Sequence, residues 1–74
     1  MNSLQILKGL YRHKPSGKLY NVLGTGRSVD NPAISIVIYQ QQYESILRGT
    51  DIILPEGSLW TRSLEDFTNK FVKI

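Results

Sequence analysis

The side chains of this sequence best suited to chemistry are His13, the rings Tyr11, Tyr20, Tyr39, Tyr43 and Trp60, and the cations Arg12, Lys14, Lys18, Arg27, Arg48 and Arg62 that run among them. His13 is the only histidine. An imidazole titrates near neutrality, which suits a general base or a proton-linked binding group. Either role needs partners. Cysteine and a second histidine are absent, and Asp30, Glu44, Asp51, Glu56, Glu65 and Asp66 are scattered along the chain. That inventory completes neither a nucleophilic triad nor a thiolate zinc centre. No metal and no cofactor is expected, and His13 is expected to be structural or superficial, because a site needs a constellation.

The rings and cations together have the composition of a single-stranded nucleic-acid platform, in which aromatic faces stack bases and positive charge follows the backbone. The competing reading is that the rings fill a small core while the cations sit in water. Rings bury the most area per residue, so a short chain uses them as core whether or not it binds a ligand, and this reading is favoured. Gly24-Thr25-Gly26 is no dinucleotide fingerprint: it lacks the third glycine and leads through Pro32 into a strand, with no helix to hold phosphate. It is taken as a turn. The phosphate loop that ends in Gly-Lys-Ser/Thr is absent too.

Seventy-four residues make one domain, 1–74, in which 1–8 is a lead-in segment. A chain this short buries only about 60% of its unfolded surface. Without cysteine there is no disulfide to help, which fits a reducing, cytoplasmic location. No apolar run approaches the roughly 20 residues of a membrane span, and residues 1–10 lack the features of a signal peptide. The net charge of +3 is a weak invitation to polyanions.

Positioning falls to the stretch Gly57 to Phe67. Leu59 to Arg62 alternates as a strand does, with Trp60 and Arg62 on one face, and Ser63 followed by Asp66 has the form of a capping box that starts a helix. Trp60 is expected to be buried and to carry the core. Before it come a strand at Leu10–His13, a turn at Lys14-Pro15-Ser16-Gly17, and a strand Lys18–Gly24 that is apolar on both faces. A loop then covers Gly24–Pro32. A central strand follows at Ala33–Gln41, where Ile34, Ile36, Val37, Ile38 and Tyr39 are β-branched or aromatic. Residues 42–48 read as strand or helical turn, 51–54 as a short strand, and Pro55-Glu56-Gly57 as a type I turn. Phe67 and Phe71 share a helix face, or Phe71, Val72 and Ile74 form a last strand.

On the first strand Tyr11 and His13 share one face and Arg12 takes the other. Arg12 is expected outward, forming a positive edge with Arg27 and Arg62. An inward Trp60 would instead put Arg62 at the rim, over a ring or paired with Glu65 or Asp66.

Taken together, Gly9-x-Tyr11-Arg12-His13, Gly17-x-x-Tyr20-x-Val22-Leu23-Gly24, Val37-Ile38-Tyr39-Gln40 and Leu59-Trp60-x-Arg62-x-Leu64-x-x-Phe67 resemble a small bacterial family known as domain of unknown function 1653. The resemblance spans residues 9–67. Family members usually carry a His-Ser pair after the glycine loop and a proline after the arginine of Trp-x-Arg. Here those places hold Arg27-Ser28-Val29-Asp30 and Ser63. The resemblance implies a compact, mostly β domain and supplies no reaction.

The expected fold is therefore mostly β: a small bent antiparallel sheet of five or six strands, or a Src-homology-3-like barrel, with one short C-terminal helix. An α+β roll is the alternative. The expected function is a non-enzymatic binding module for a protein or nucleic acid, monomeric or weakly homodimeric, with no membrane partner. Its candidate binding residues are Arg12, His13, Lys14, Arg27, Tyr39, Trp60 and Arg62. The alternative is a nucleotide- or small-molecule-binding accessory enzyme domain that uses His13.

Overall fold

A computed structural model describes residues 6–74. In chain order the elements are β1 (Gly9–His13), β2 (Leu19–Arg27), β3 (Ser35–Gln41), β4 (Ser45–Ile46), β5 (Ile53–Leu54), β6 (Leu59–Ser63), α1 (Leu64–Lys70) and β7 (Phe71–Lys73). Five strands form one antiparallel sheet in the order β6-β3-β2-β1-β7, and β4 pairs only with β5 in a separate ribbon. The fold is thus mostly β with one short C-terminal helix, as expected. The sheet is not closed into a barrel.

Its curvature follows from the connection between its edges. Four antiparallel steps make β6 and β7 run the same way, and α1 joins them across one face. In a flat sheet the two edges would stand about 19 Å apart, at about 4.8 Å per strand, whereas a helix of this length spans only about 10 Å. The sheet must curl around α1. Accordingly the Arg62 guanidinium on β6 lies 5.5 Å from the centre of the Phe71 ring on β7.

The face toward α1 holds the core: Tyr11, Val22, Val37, Tyr39 and Phe71 from the sheet, and Leu64 and Phe67 from the helix. Phe67 and Phe71 stack with centroids 4.1 Å apart. Phe71 is no longer helical, because it pairs with His13 at the start of β7. Of the lead-in, Ile6 packs on the core and the Leu7 carbonyl accepts from the Tyr11 hydroxyl at 2.7 Å. Residues 1–5 of that segment lie outside the described residues.

The turn at Lys14–Gly17 stands where expected, with Gly17 at φ +75° and its N–H donating to the His13 carbonyl at 2.7 Å. Several expectations are corrected. The loop assigned to Gly24–Pro32 begins only after Arg27: Gly24 and Gly26 pair with Ile38 and Ile36 past a bulge at Leu23, so β2 continues through them. Only one face of β2 is covered. Tyr20 and Val22 face the core, whereas Leu19 and Leu23 are exposed, since nothing packs on the other side. At Pro55 the turn is one residue later than expected. Ser58 N–H donates to the Pro55 carbonyl, and Gly57, at φ +96°, takes the third position, where type II geometry needs a positive φ.

Trp60 is the largest correction. It faces inward opposite Tyr39, but β6 is an edge strand, and Trp60 stays 36% exposed outside the core. The helix start is as expected in one half only. Ser63 accepts from the Asp66 N–H at 3.2 Å, while the Asp66 carboxylate takes the Arg62 guanidinium at 2.6 Å instead of reaching back to the Ser63 N–H. Ser63→Ala should cost about 1 kcal/mol and Ser63→Asp little, because aspartate accepts the same bond and suits the helix dipole. Equal losses in urea melts would show that the hydroxyl does no capping.

Candidate functional site

Beyond the end of α1 the inner face carries a half-covered cluster of rings and cations. Phe71 is its floor, with the His13 ring at 4.8 Å, Tyr39 at 5.3 Å and Tyr20 at 5.5 Å. Tyr43 packs edge-on to Tyr20 at 5.6 Å, and their hydroxyls hydrogen-bond to each other. Lys18 Nζ sits 5.2 Å from the centre of the Tyr43 ring. Arg62 crosses the floor, donating to the Tyr39 hydroxyl at 3.3 Å and to Asp66. These partners hold its guanidinium more basic than usual, Tyr39 first and Asp66 after it, against the effect of burial. Burial and the Tyr43 bond push the Tyr20 hydroxyl well above the ordinary tyrosine range.

His13 has little with which to do chemistry. Its Nδ1 shares a 2.8 Å hydrogen bond with Ser16 Oγ, which also accepts from the Lys18 N–H at 3.2 Å and so braces the turn. Among the described residues no carboxylate bonds the ring. Burial lowers its pKa, and the charges of Arg62 and Lys70 lower it further. The folded state therefore binds fewer protons than the unfolded chain just below the ordinary 6.5. Stability should be complete above that value and fall as the pH drops through it toward the depressed folded pKa. Urea melts of the parent and of His13→Gln across this window should differ in slope, the substituted chain losing this part of the pH dependence. Parallel profiles would exclude it.

The candidate binding residues are divided between the two faces. His13, Tyr39, Trp60 and Arg62 lie on the inner face; Arg12 pairs across to Leu19 and Val72 on the opposite one. Lys14 opens the β1–β2 turn, its N–H on the Lys70 carbonyl. Arg27 ends β2 and donates to the Pro32 carbonyl at 2.9 Å. The three arginines thus form no common patch, and Arg62 takes the rim arrangement, over Phe71 and paired with Asp66.

Gln41 was not among the candidates, yet it is the only buried polar side chain among the described residues. Its Oε1 accepts from the Trp60 indole at 3.0 Å, and its Nε2 reaches the Tyr43 carbonyl at 2.7 Å, with Ser45 Oγ and the Leu54 carbonyl at 3.2 Å. It pins the β4–β5 ribbon to the sheet. The alternation Val37, Tyr39, Gln41 was the signal that placed it on the buried face.

The outer sheet face is the other unassigned surface. Leu10, Leu19, Leu59 and Val72 are exposed there and Ile36 and Ile38 half-buried, with no carboxylate in any of its five strands. A Cβ added at Gly24, which pairs with Ile38, would meet no atom within 4 Å. In the ribbon the Ser45 hydroxyl meets Gln41 on the inner side, so the next residue, Ile46, and its partner Ile53 turn outward, 65% and 59% exposed.

No family model matches the chain, and neither a curated protein nor a solved structure matches it. Among the described residues no helix is long and apolar enough to cross a membrane, and no group of His, Cys, Asp or Glu side chains is arranged to hold a metal.

Proposed function

We propose that this domain is a non-enzymatic module that binds protein through the outer face of its sheet. The observation that carries this reading is the aliphatic face itself, which no other part of the described chain covers. Apolar side chains exposed on one face of a small domain mark an interaction site, and here the amide side chains of Asn21 and Gln40 lie between Leu10 and Leu59 on that face. It favours protein over nucleic acid, because it presents leucine, isoleucine and valine with Arg12 as its cation and has no ring on which a base could stack. The inner-face rings serve one another and the core. Kinship with domain of unknown function 1653 is part of the proposal, supported by Tyr11-Arg12-His13 and Leu59-Trp60-x-Arg62, and so is a cytoplasmic setting, supported by the lack of cysteine.

The test pairs two measurements. Anisotropy titrations with short single-stranded DNA and RNA should show no binding at moderate salt. Affinity capture from nuclease-treated lysate should retain proteins that a Leu19→Asp, Leu59→Asp chain, checked for folding by circular dichroism, no longer retains. Oligonucleotide binding that disappears in Arg12→Ala with Arg27→Ala, or capture indifferent to the two leucines, would overturn the reading.

A further inference from the structure

We infer that a second copy of this chain extends the sheet along β6, antiparallel about a two-fold axis through Thr61, so that two open sheets join into one. The first ground is the phase of the backbone hydrogen bonds. The Gln41 N–H donates to the Ser58 carbonyl at 2.8 Å, and in the register of β3 with β6 the bonded pairs recur at every second residue, Tyr39 with Trp60 and Val37 with Arg62. The Gln42 N–H on the Leu19 carbonyl and the Ser28 N–H on the Ile34 carbonyl give β3 the same phase from its other side. Leu59, Thr61 and Ser63 therefore turn their backbone groups to the free edge of the sheet. The Ser63 carbonyl serves α1 from the N-cap position. What is left for another strand, among the described residues, is the N–H and C=O of Leu59 and Thr61 and the N–H of Ser63. Such an edge is a template for pairing unless charge, proline or cover blunts it. At the opposite edge the Phe71 N–H is already bonded to the Phe67 carbonyl and the short β7 ends on Lys73. β6 has neither lysine nor proline, and Leu59, Trp60 and Thr61 are all exposed.

The second ground is that this edge complements itself in one register. With Thr61 on the axis, each Thr61 N–H meets the partner's Thr61 carbonyl and each Ser63 N–H meets the partner's Leu59 carbonyl, and both bonds are made twice. Centring the pair on Leu59 would set Thr61 against the partner's Gly57, a residue whose N–H is bonded to the Gln41 carbonyl and whose carbonyl takes the Gln40 side chain. Centring it on Ser63 would set Thr61 against the partner's Glu65, inside α1. The Thr61 register also matches side chains. On the inner face Trp60 stands directly across from the partner's Arg62, a ring against a guanidinium, and the reverse pair repeats it. On the outer face Thr61 meets the partner's Thr61, and Leu59 meets the partner's Ser63. An unrelated extended segment offers the same backbone groups, but the second copy also brings a cation to Trp60, which is 36% exposed in the single chain. The pairing does not depend on what the outer face binds.

Sedimentation equilibrium at concentrations reaching about 1 mM, the weak limit for so small a contact, should show a monomer–dimer equilibrium. Thr61→Lys and Thr61→Glu, at a position exposed in the single chain, should each keep the circular dichroism of the parent. Each should weaken dimerisation at least about tenfold, because like charges then face each other across the axis. An equimolar mixture of the two should dimerise again, a recovery that damage to the fold would not allow. The emission of Trp60, the sole tryptophan, should change with dilution in the parent and in the mixture, and in neither variant alone. Leu19→Asp, on β2 and away from the edge, should leave the equilibrium as it is. A chain that is monomeric throughout, a dimer indifferent to Thr61→Lys, or a mixture that stays monomeric overturns the inference. Loss of the dimer in Leu19→Asp overturns it too, since the copies would then meet through the outer face and not along β6.

Discussion

Phe67→Ala should remove a large part of the chain's stability, whereas Trp60→Ala should remove a smaller part. Phe67 is fully buried, stacked on Phe71 and set against Tyr11 and Tyr39 with centroids 5.3 Å away in both cases. It is also the main apolar contact of α1 with the sheet, so its loss undoes the turn from β6 into β7 as well as the cluster. Truncating such a ring costs about 3–5 kcal/mol. At roughly 0.05–0.15 kcal/mol per residue, a domain of this length has about 4–11 kcal/mol in all. Trp60 lies on an edge strand, 36% exposed, with its indole N–H on Gln41. Its removal forfeits one hydrogen bond and partial burial, about 2–3 kcal/mol. Urea melts by circular dichroism rank the two variants, and a Trp60→Ala chain less stable than Phe67→Ala would refute this division of the core.

That ranking reverses the expectation drawn from the sequence, and the reason is specific. Alternation correctly put Trp60 on the inward face with Arg62. It carries no information on where a strand stands across a sheet, and exposure at Trp60 is set by β6 being an edge. The Ser63 cap was legible because capping depends on residues three apart. The other half of the capping box was not, because Arg62, one residue before the cap, competes for the Asp66 carboxylate with a full charge. Gly24 and Gly26 read as a turn, yet both have ordinary extended φ and pair with Ile38 and Ile36. Glycine permits a turn without requiring one. The strand Lys18–Gly24 reads as apolar on both faces, as if covered on both, but the described chain has one helix and it covers one face of the sheet. The open face at Ile36 and Ile38 is therefore a consequence of element count, which local patterns do not reveal.

Gln41→Leu should detach the β4–β5 arm while the sheet persists. Leucine fills much the same space on the inner face, so the packing beside Tyr20 and Tyr39 is retained, and what disappears is the amide. The Trp60 N–H loses its acceptor, while the Tyr43 and Leu54 carbonyls and the Ser45 hydroxyl lose their donor. Each unsatisfied buried group costs about 1–3 kcal/mol. The arm can recover part of this by swinging into water, because its remaining bonds to the sheet lie at its base: the Gln41 N–H to Ser58, the Gly57 N–H to Gln41, the Gln40 side chain to the Gly57 carbonyl, the Gln42 N–H to Leu19 and the Tyr43 hydroxyl with that of Tyr20. A net loss of about 2–4 kcal/mol is expected, from one or two groups left dry. In hydrogen exchange the Leu47 amide, bonded to the Ile52 carbonyl at 2.9 Å within the arm, should lose protection far more than Val22 or Val37 in the core. Gln41→Glu gives the sign of the electrostatics. A carboxylate there faces carbonyl oxygens and is desolvated, so its folded pKa rises above the ordinary value of about 4.3. Its stability is then greatest below that pH and is lost as the pH rises through the folded pKa. Arm amides as protected in Gln41→Leu as in the parent, together with a pH-independent Gln41→Glu, would mean that the arm is held by its own ribbon bonds and not by the Gln41 side chain.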